Sequence, residues 1–302
     1  MNARVRTSEK IYWSLPRGKI LRRVLRDDPE QEYLVYIPKS GGTGAPLLVS
    51  VHGISRNAHA QAIMFAPYCE RFGVVLVAPR FTPDQHKDYQ RLGRKGRGLR
   101  SDIVLDNCLS EIALLTGADA TRFSIFGYSG GAQFAHRYVM AHPHRVIKAT
   151  IAAAGWYTLP DHRQRFPYGI RPTRNLRDVN FNPEEFLHIP IDVLVGTRDT
   201  GTHNLRSTER ANQQGKNRIE RARNWVAAMR QAAVIYGVEP AVTFTEVPDV
   251  DHSFGNFCRH GALVRRVFKS LFDLSIEPSA AKSISHSRIL VKEPSVVMSE
   301  NP

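Results

Sequence analysis

The sequence predicts a single α/β domain: a doubly wound, mostly parallel sheet with helices on both faces. Three observations carry that expectation. Short, continuous apolar runs recur along the chain, as strands buried on both faces require. Between them lie segments whose apolar residues recur at helical spacing. A strand-like run, a glycine-rich turn and a helical stretch also follow directly on one another around Phe126-Gly127-Tyr128-Ser129-Gly130-Gly131.

The strands are predicted at residues 32–38 (EYLVYIP), 46–52 (PLLVSVH), 74–78 (VVLVA), 122–126 (RFSIF), 148–154 (KATIAAA), 191–196 (IDVLVG) and 242–247 (VTFTEV). A helix is expected over residues 101–116, with Val104, Cys108, Ile112 and Leu115 on one face. Ser101 suits its N-cap, Asp102 its positive end and Gly117 its stop. Further helices are expected over 132–140, 215–236 and 257–272. The second of these carries Ile219, Ala222, Val226, Met229 and Ala233 on one stripe. Residues 1–30 are charged and weakly periodic and read as an N-terminal extension. Residues 31–275 form the α/β domain. Within it, residues 156–188 form a Pro- and Arg-rich insert, long enough to be a lid or binding loop. Residues 276–302, rich in Ser, Pro and Ala, are expected to be disordered.

The chain has 302 residues, enough to bury a large core without disulfides or a structural metal. Cys69, Cys108 and Cys258 are odd in number and form no Cys-x-x-Cys pair, which suggests reduced thiols rather than a zinc or redox site. No apolar run approaches the ~20 residues of a membrane span. The basic N-terminal residues are not followed by the apolar stretch of a secretory signal. These features point to the cytoplasm and to no membrane partner. The formal charge of +14 is the unusual number; it raises nucleic acid, an anionic surface or an anionic substrate as partners.

The turn at Ser129 fits G-x-S-x-G between a strand and a helix, the setting of a nucleophile elbow. Gly127 and Gly131 let neighbouring backbone pack tightly, so the hydroxyl is lifted to the carboxyl edge of the sheet. A serine hydroxyl needs a base. His252, after the last strand and before the last helix, is the candidate. The imidazole needs an acid to fix its tautomer. Asp199, just past the strand at 191–196, can reach it. Asp249 and Asp251 are nearer in sequence, but a carboxylate so close on the same loop does not easily face the ring. Oxyanion donors are expected at the N–H groups of Gly130 and Ile54, the latter in the turn opened by Gly53. Gly53, Tyr128, Trp156 and Tyr157 are the candidate substrate-binding residues.

The order Val-His-Gly, Gly-Tyr-Ser-Gly-Gly, Gly-Thr-Arg-Asp and Asp-His-Ser-Phe resembles the α/β-hydrolase superfamily over residues 30–275. Within it the chain is most similar to the polyhydroxybutyrate depolymerase and feruloyl esterase branch. The resemblance implies a serine esterase working through an acyl-enzyme, with no metal or organic cofactor. Lacking the leader and binding modules of secreted depolymerases, the chain is expected to take a soluble small ester, a hydroxyalkanoate oligomer or an aryl ester. Lactones, thioesters and peptides need the same three residue types, and a binding protein on an inactive hydrolase fold is the non-enzymatic alternative.

The basic residues cluster in three segments. Lys87, Arg91, Arg94, Lys95, Arg97 and Arg100 follow the third strand. Arg163, Arg165, Arg171, Arg174 and Arg177 lie in the insert. Arg206, Arg210, Lys216, Arg218, Arg221 and Arg223 follow Asp199. Each segment leaves the carboxyl end of a strand, where ligands of doubly wound sheets bind. They should converge near Ser129, favouring an anionic ester, unless they only form a solvated basic surface. No nucleic-acid motif is present, and the aromatics do not alternate with the basic residues, so no nucleic-acid partner is expected.

Overall fold

The computed structural model describes residues 15–94 and 96–273. The predicted tail at 276–302 and the first half of the predicted N-terminal extension lie outside the described residues. Eight strands form one sheet: β1 (Ile20–Val24), β2 (Glu32–Tyr36), β3 (Leu47–Val51), β4 (Val75–Pro79), β5 (Phe123–Tyr128), β6 (Val146–Ala152), β7 (Ile191–Gly196) and β8 (Val242–Val247). Their spatial order is β1-β2-β4-β3-β5-β6-β7-β8. β2 pairs antiparallel with both β1 and β4; every later pairing is parallel. This is the predicted doubly wound α/β architecture.

The helices are α1 (Ala58–Phe72), α2 (Ser101–Thr116), α3 (Gly130–Ala141), α4 (Pro183–Phe186), α5 (Glu209–Asn212), α6 (Arg218–Ile235), α7 (Phe254–Arg259) and α8 (Leu263–Phe272). β3, β4 and β5 are buried at every position, as strands covered on both faces must be. On one face, Phe65 of α1 meets Phe126 of β5 at 5.0 Å and Phe268 of α8 at 6.2 Å between ring centroids. Burying each such ring contributes about 1.5–3 kcal/mol. On the other face lie α2, α3 and α6, and every residue of α3 is buried. Among the described residues no helix is long and apolar enough to cross a membrane.

Several elements differ from the sequence expectation. β1 lies inside the stretch read as an extension. Its arginines Arg22 and Arg23 interrupt the apolar signal, and as an edge strand it buries little. α1 has no counterpart in the sequence reading; half of its buried stripe is alanine and it contains Pro67. Ser101 does not cap α2. Arg100 occupies the N-cap, while Asp102, fully buried, accepts from Arg100 at 2.6 Å and from His142 at 2.9 Å. Gly117 ends α2 in the left-handed conformation, as expected. The last predicted helix is two, α7 and α8, broken where Ala262 turns to a φ of 50°. The insert is mostly irregular, ending in α4.

Candidate active site

Ser129 stands between β5 and α3 with φ 53° and ψ −108°, a strained conformation for a residue with a side chain. The surroundings enforce it. A Cβ on Gly131 would lie 1.9 Å from the Val51 carbonyl oxygen, and one on Gly127 would lie 2.2 Å from that of Gly131. Only glycine lets the turn press this closely on β3 and on itself. The Ser129 amide is anchored on the Ala152 carbonyl at 2.8 Å.

The loops after β7 and β8 bring the other two predicted residues together. Thr197 and Arg198 donate their amides to the Val247 and Val250 carbonyls, each at 2.9 Å, tying one loop to the other. His252 then lies with Nε2 3.1 Å from Ser129 Oγ and Nδ1 2.7 Å from Asp199 Oδ2. Asp199 is buried, whereas His252 is partly open. The histidine-loop carboxylates face elsewhere. Asp251 accepts from the Ser253 amide and from Asn256, and Asp249 is exposed on its turn. The second oxygen of Asp199 accepts from Arg218 Nη1 at 3.1 Å. Arg218, itself buried, also donates to the carbonyls of Gly201 and His203, so this acid is held by a cation behind it.

Gly130 and Ile54 face one another: a Cβ on Gly130 would lie 3.0 Å from Ile54 Cγ2. Among the described residues neither amide has a hydrogen-bond partner. The loop carrying Ile54 is pinned at both ends. His52 Nε2 accepts the Phe81 amide at 3.0 Å and Nδ1 meets the Gly53 carbonyl at 2.8 Å. Burial lowers the His52 pKa to about 4, so the ring is a neutral brace. Arg56 donates to the Phe81 carbonyl and lies over the Tyr89 ring, and the Tyr89 hydroxyl donates to the His52 carbonyl at 3.0 Å.

The predicted substrate-binding residues separate. Gly53 sits beside Ser129, its would-be Cβ 3.4 Å from the Ser129 Cβ. Trp156 lines, with Ser129 and Ile54, a cleft of about 290 Å³. Tyr128 is buried behind the site, its ring stacked 5.7 Å from that of His252; it braces the imidazole and does not line the cleft. Tyr157 is a correction. It is fully buried against Trp225, with ring centroids 4.9 Å apart, and its backbone pairs with Gln214. Of the two adjacent aromatics only Trp156 lines the cleft.

The basic segments converge in part. Arg91, Arg206 and Arg218 line the cleft with Ser129. Others are engaged elsewhere: Arg94 and Arg97 on Asp88, Arg100 on Asp102 and Asp178, Arg223 on Glu246, and Arg221 on backbone carbonyls. Gln90, Gln133 and Leu205 also line the cleft and were not singled out. Gln90 and Gln133 stand next to the flagged Arg91 and the elbow helix, but no residue pattern marks them.

No protein-family model matches the sequence, and no curated protein matches it. Solved structures do. A poly(aspartic acid) hydrolase from a Sphingomonas species is 25% identical, with a TM-score of 0.68 over 79% of this chain and 93% of that one. A poly(3-hydroxybutyrate) depolymerase from Bordetella parapertussis is also 25% identical, with a TM-score of 0.66 over 83% and 94%. A ferulic acid esterase shares the fold at 15% identity, with a TM-score of 0.53 over 85% and 98%. The chain has the α/β-hydrolase fold and is similar to solved structures of the esterase and depolymerase branch.

Proposed function

We propose that the protein is a serine hydrolase that cleaves a carboxylic ester through an acyl-enzyme, with Ser129, His252 and Asp199 as its triad. The observation that carries this reading is the unbroken hydrogen-bonded line from the Ser129 hydroxyl through the His252 imidazole to buried Asp199. Ser129 Oγ attacks the ester carbonyl while His252 Nε2 takes its proton. Asp199 holds Nδ1–H and stabilises the imidazolium. The tetrahedral oxyanion accepts from the N–H groups of Gly130 and Ile54 at the positive end of α3. His252 returns the proton to the departing alcohol, and water repeats the sequence on the acyl-enzyme to release the acid.

Amide cleavage is the second reading, favoured by the likeness to a poly(aspartic acid) hydrolase. It uses the same groups, with His252 protonating a leaving nitrogen. A fluorophosphonate probe tests the nucleophile, and p-nitrophenyl esters beside matched anilides test the bond. Labelling at Ser129 and ester turnover, both lost in Ser129→Ala with the fold unchanged, are expected. An unlabelled Ser129, or a Ser129→Ala enzyme retaining a tenth of the turnover, would sink the assignment.

A further inference from the structure

One wall of the cleft carries guanidinium groups that make no salt bridge among the described residues. Trp156 is surrounded by three guanidinium groups, with Arg137 4.1 Å, Arg206 5.1 Å and Arg91 5.5 Å from the indole centroid. Arg137, on α3, is fully buried. It donates to Thr158 Oγ1 at 2.9 Å and to the carbonyls of Gln90 at 2.6 Å and Gln133 at 3.3 Å, and among the described residues its Nη2 has no partner. The Arg91 side chain makes no hydrogen bond among the described residues, and its Nε is buried. Among the described residues, the Arg206 side chain donates only to the Tyr168 hydroxyl, at 2.9 Å.

Nearby carboxylates are already occupied. Asp88 is held by Arg94 and Arg97, Asp161 by Arg163, and Asp199 by Arg218 and His252. Burial first, then Arg91 and Arg206, push the Arg137 pKa well below its usual range. Packing on the indole recovers part of this cost through the ring's negative face. A buried cation that lacks a partner is still expensive, and a bound anion removes the penalty. Arginine's planar fork also matches a carboxylate in two-point geometry.

We infer that Arg91 and Arg206, seated on Trp156 and backed by Arg137, form a carboxylate-binding subsite, so that the substrate is an acyl compound bearing a carboxylate. This rests on the reading of Ser129 as the nucleophile of the same cleft. Arg91 and Arg206 touch the carboxylate, whereas Arg137 acts through its field and through Trp156.

The test compares charged esters with neutral isosteres. One pair places the charge on the acyl side: mono-p-nitrophenyl adipate against p-nitrophenyl adipamate. The other places it on the leaving group: 4-acetoxybenzoate against 4-acetoxybenzamide. In at least one pair, the charged ester should show kcat/KM about tenfold or more above its partner, the scale of one charged hydrogen bond. Arg206→Gln and Arg91→Gln should each pull that ratio towards one; the Arg91 side chain makes no hydrogen bond among the described residues, so its variant guards against a folding defect. Ratios near one for both pairs in the wild-type protein, or unchanged ratios in both variants, would overturn the subsite. Calorimetric titration of adipate against adipamide judges the subsite without turnover. Adipate binding that Arg206→Gln abolishes supports it, and equal binding of the two overturns it. An unlabelled Ser129 with adipate still bound would fault the proposed chemistry and leave the subsite standing.

Discussion

The two walls of the cleft use the same residue type in opposite ways. On the His252 side, Arg218 is buried but faces Asp199 and two carbonyls, so charge is balanced inside the protein. On the Trp156 side, Arg137, Arg91 and Arg206 face an indole, and none of them makes a salt bridge among the described residues; the nearby Asp88 is held by Arg94 and Arg97. The first wall is complete without a ligand and fixes a geometry. The second is electrostatically incomplete, and that is the property of a surface that receives charge. A buried guanidinium is thus structural or ligand-directed according to its nearest carboxylate, not its burial.

The largest effect should come from the balanced wall. Asp199→Asn keeps the shape but offers an N–H to His252 Nδ1, which favours the wrong tautomer. The turnover number kcat for a neutral p-nitrophenyl ester should fall about 10⁴-fold. Asp251→Asn and Asp249→Asn should each cost less than about tenfold, because neither carboxylate meets the imidazole. An equal loss in Asp251→Asn would move the acid to the histidine loop.

Stability separates the walls directly. Arg218→Met leaves Asp199 buried with only His252 beside it, and unpairing such a group costs about 3–5 kcal/mol. Arg137→Met removes a cation that has no carboxylate to lose, and an apolar residue of similar length packs under Trp156. Its cost should stay at about 1–2 kcal/mol, the scale of the hydrogen bonds lost to Thr158 and the Gln90 carbonyl, and below that of Arg218→Met. Urea midpoints at unchanged slope measure both. The same Arg137→Met protein should bind adipate more weakly. Equal destabilisation by the two substitutions would erase the distinction.

Much of this arrangement was legible before folding, for identifiable reasons. The central strands announce themselves because strands buried on both faces must be continuously apolar. The elbow does so because its close approach to Val51 admits only glycine. Ser129, Asp199 and His252 each follow a strand, so their meeting follows from topology. β1 was hidden because an edge strand tolerates Arg22 and Arg23. Trp156 and Tyr157 were indistinguishable because which of two adjacent aromatics faces the cleft depends on what packs opposite, here Trp225. The basic segments were visible, but not which arginines would find an acid. Arg137 was missed because a cation inside a mostly apolar helix carries no sign of its neighbours.

The smallest expected effect concerns charge farther from Ser129. Arg210 lies 5.8 Å from the Tyr168 ring centroid, on the ring that Arg206 also approaches, and lines a second groove with Arg163, Arg165 and Arg171. The cations therefore continue from the cleft across the insert. These outer groups are wetter, so their influence is long-range attraction and not a fixed contact. Attraction of that kind is screened over about 8 Å at physiological ionic strength and about 30 Å at 0.01 M. For mono-p-nitrophenyl adipate, kcat/KM should fall severalfold between those conditions, while p-nitrophenyl adipamate stays nearly flat. Arg165→Gln combined with Arg171→Gln should flatten the salt slope of the charged ester without removing its advantage at high salt, which belongs to Arg91 and Arg206. Identical salt slopes for the two esters would confine the electrostatic contrast to the cleft itself and leave the outer arginines as solvated surface.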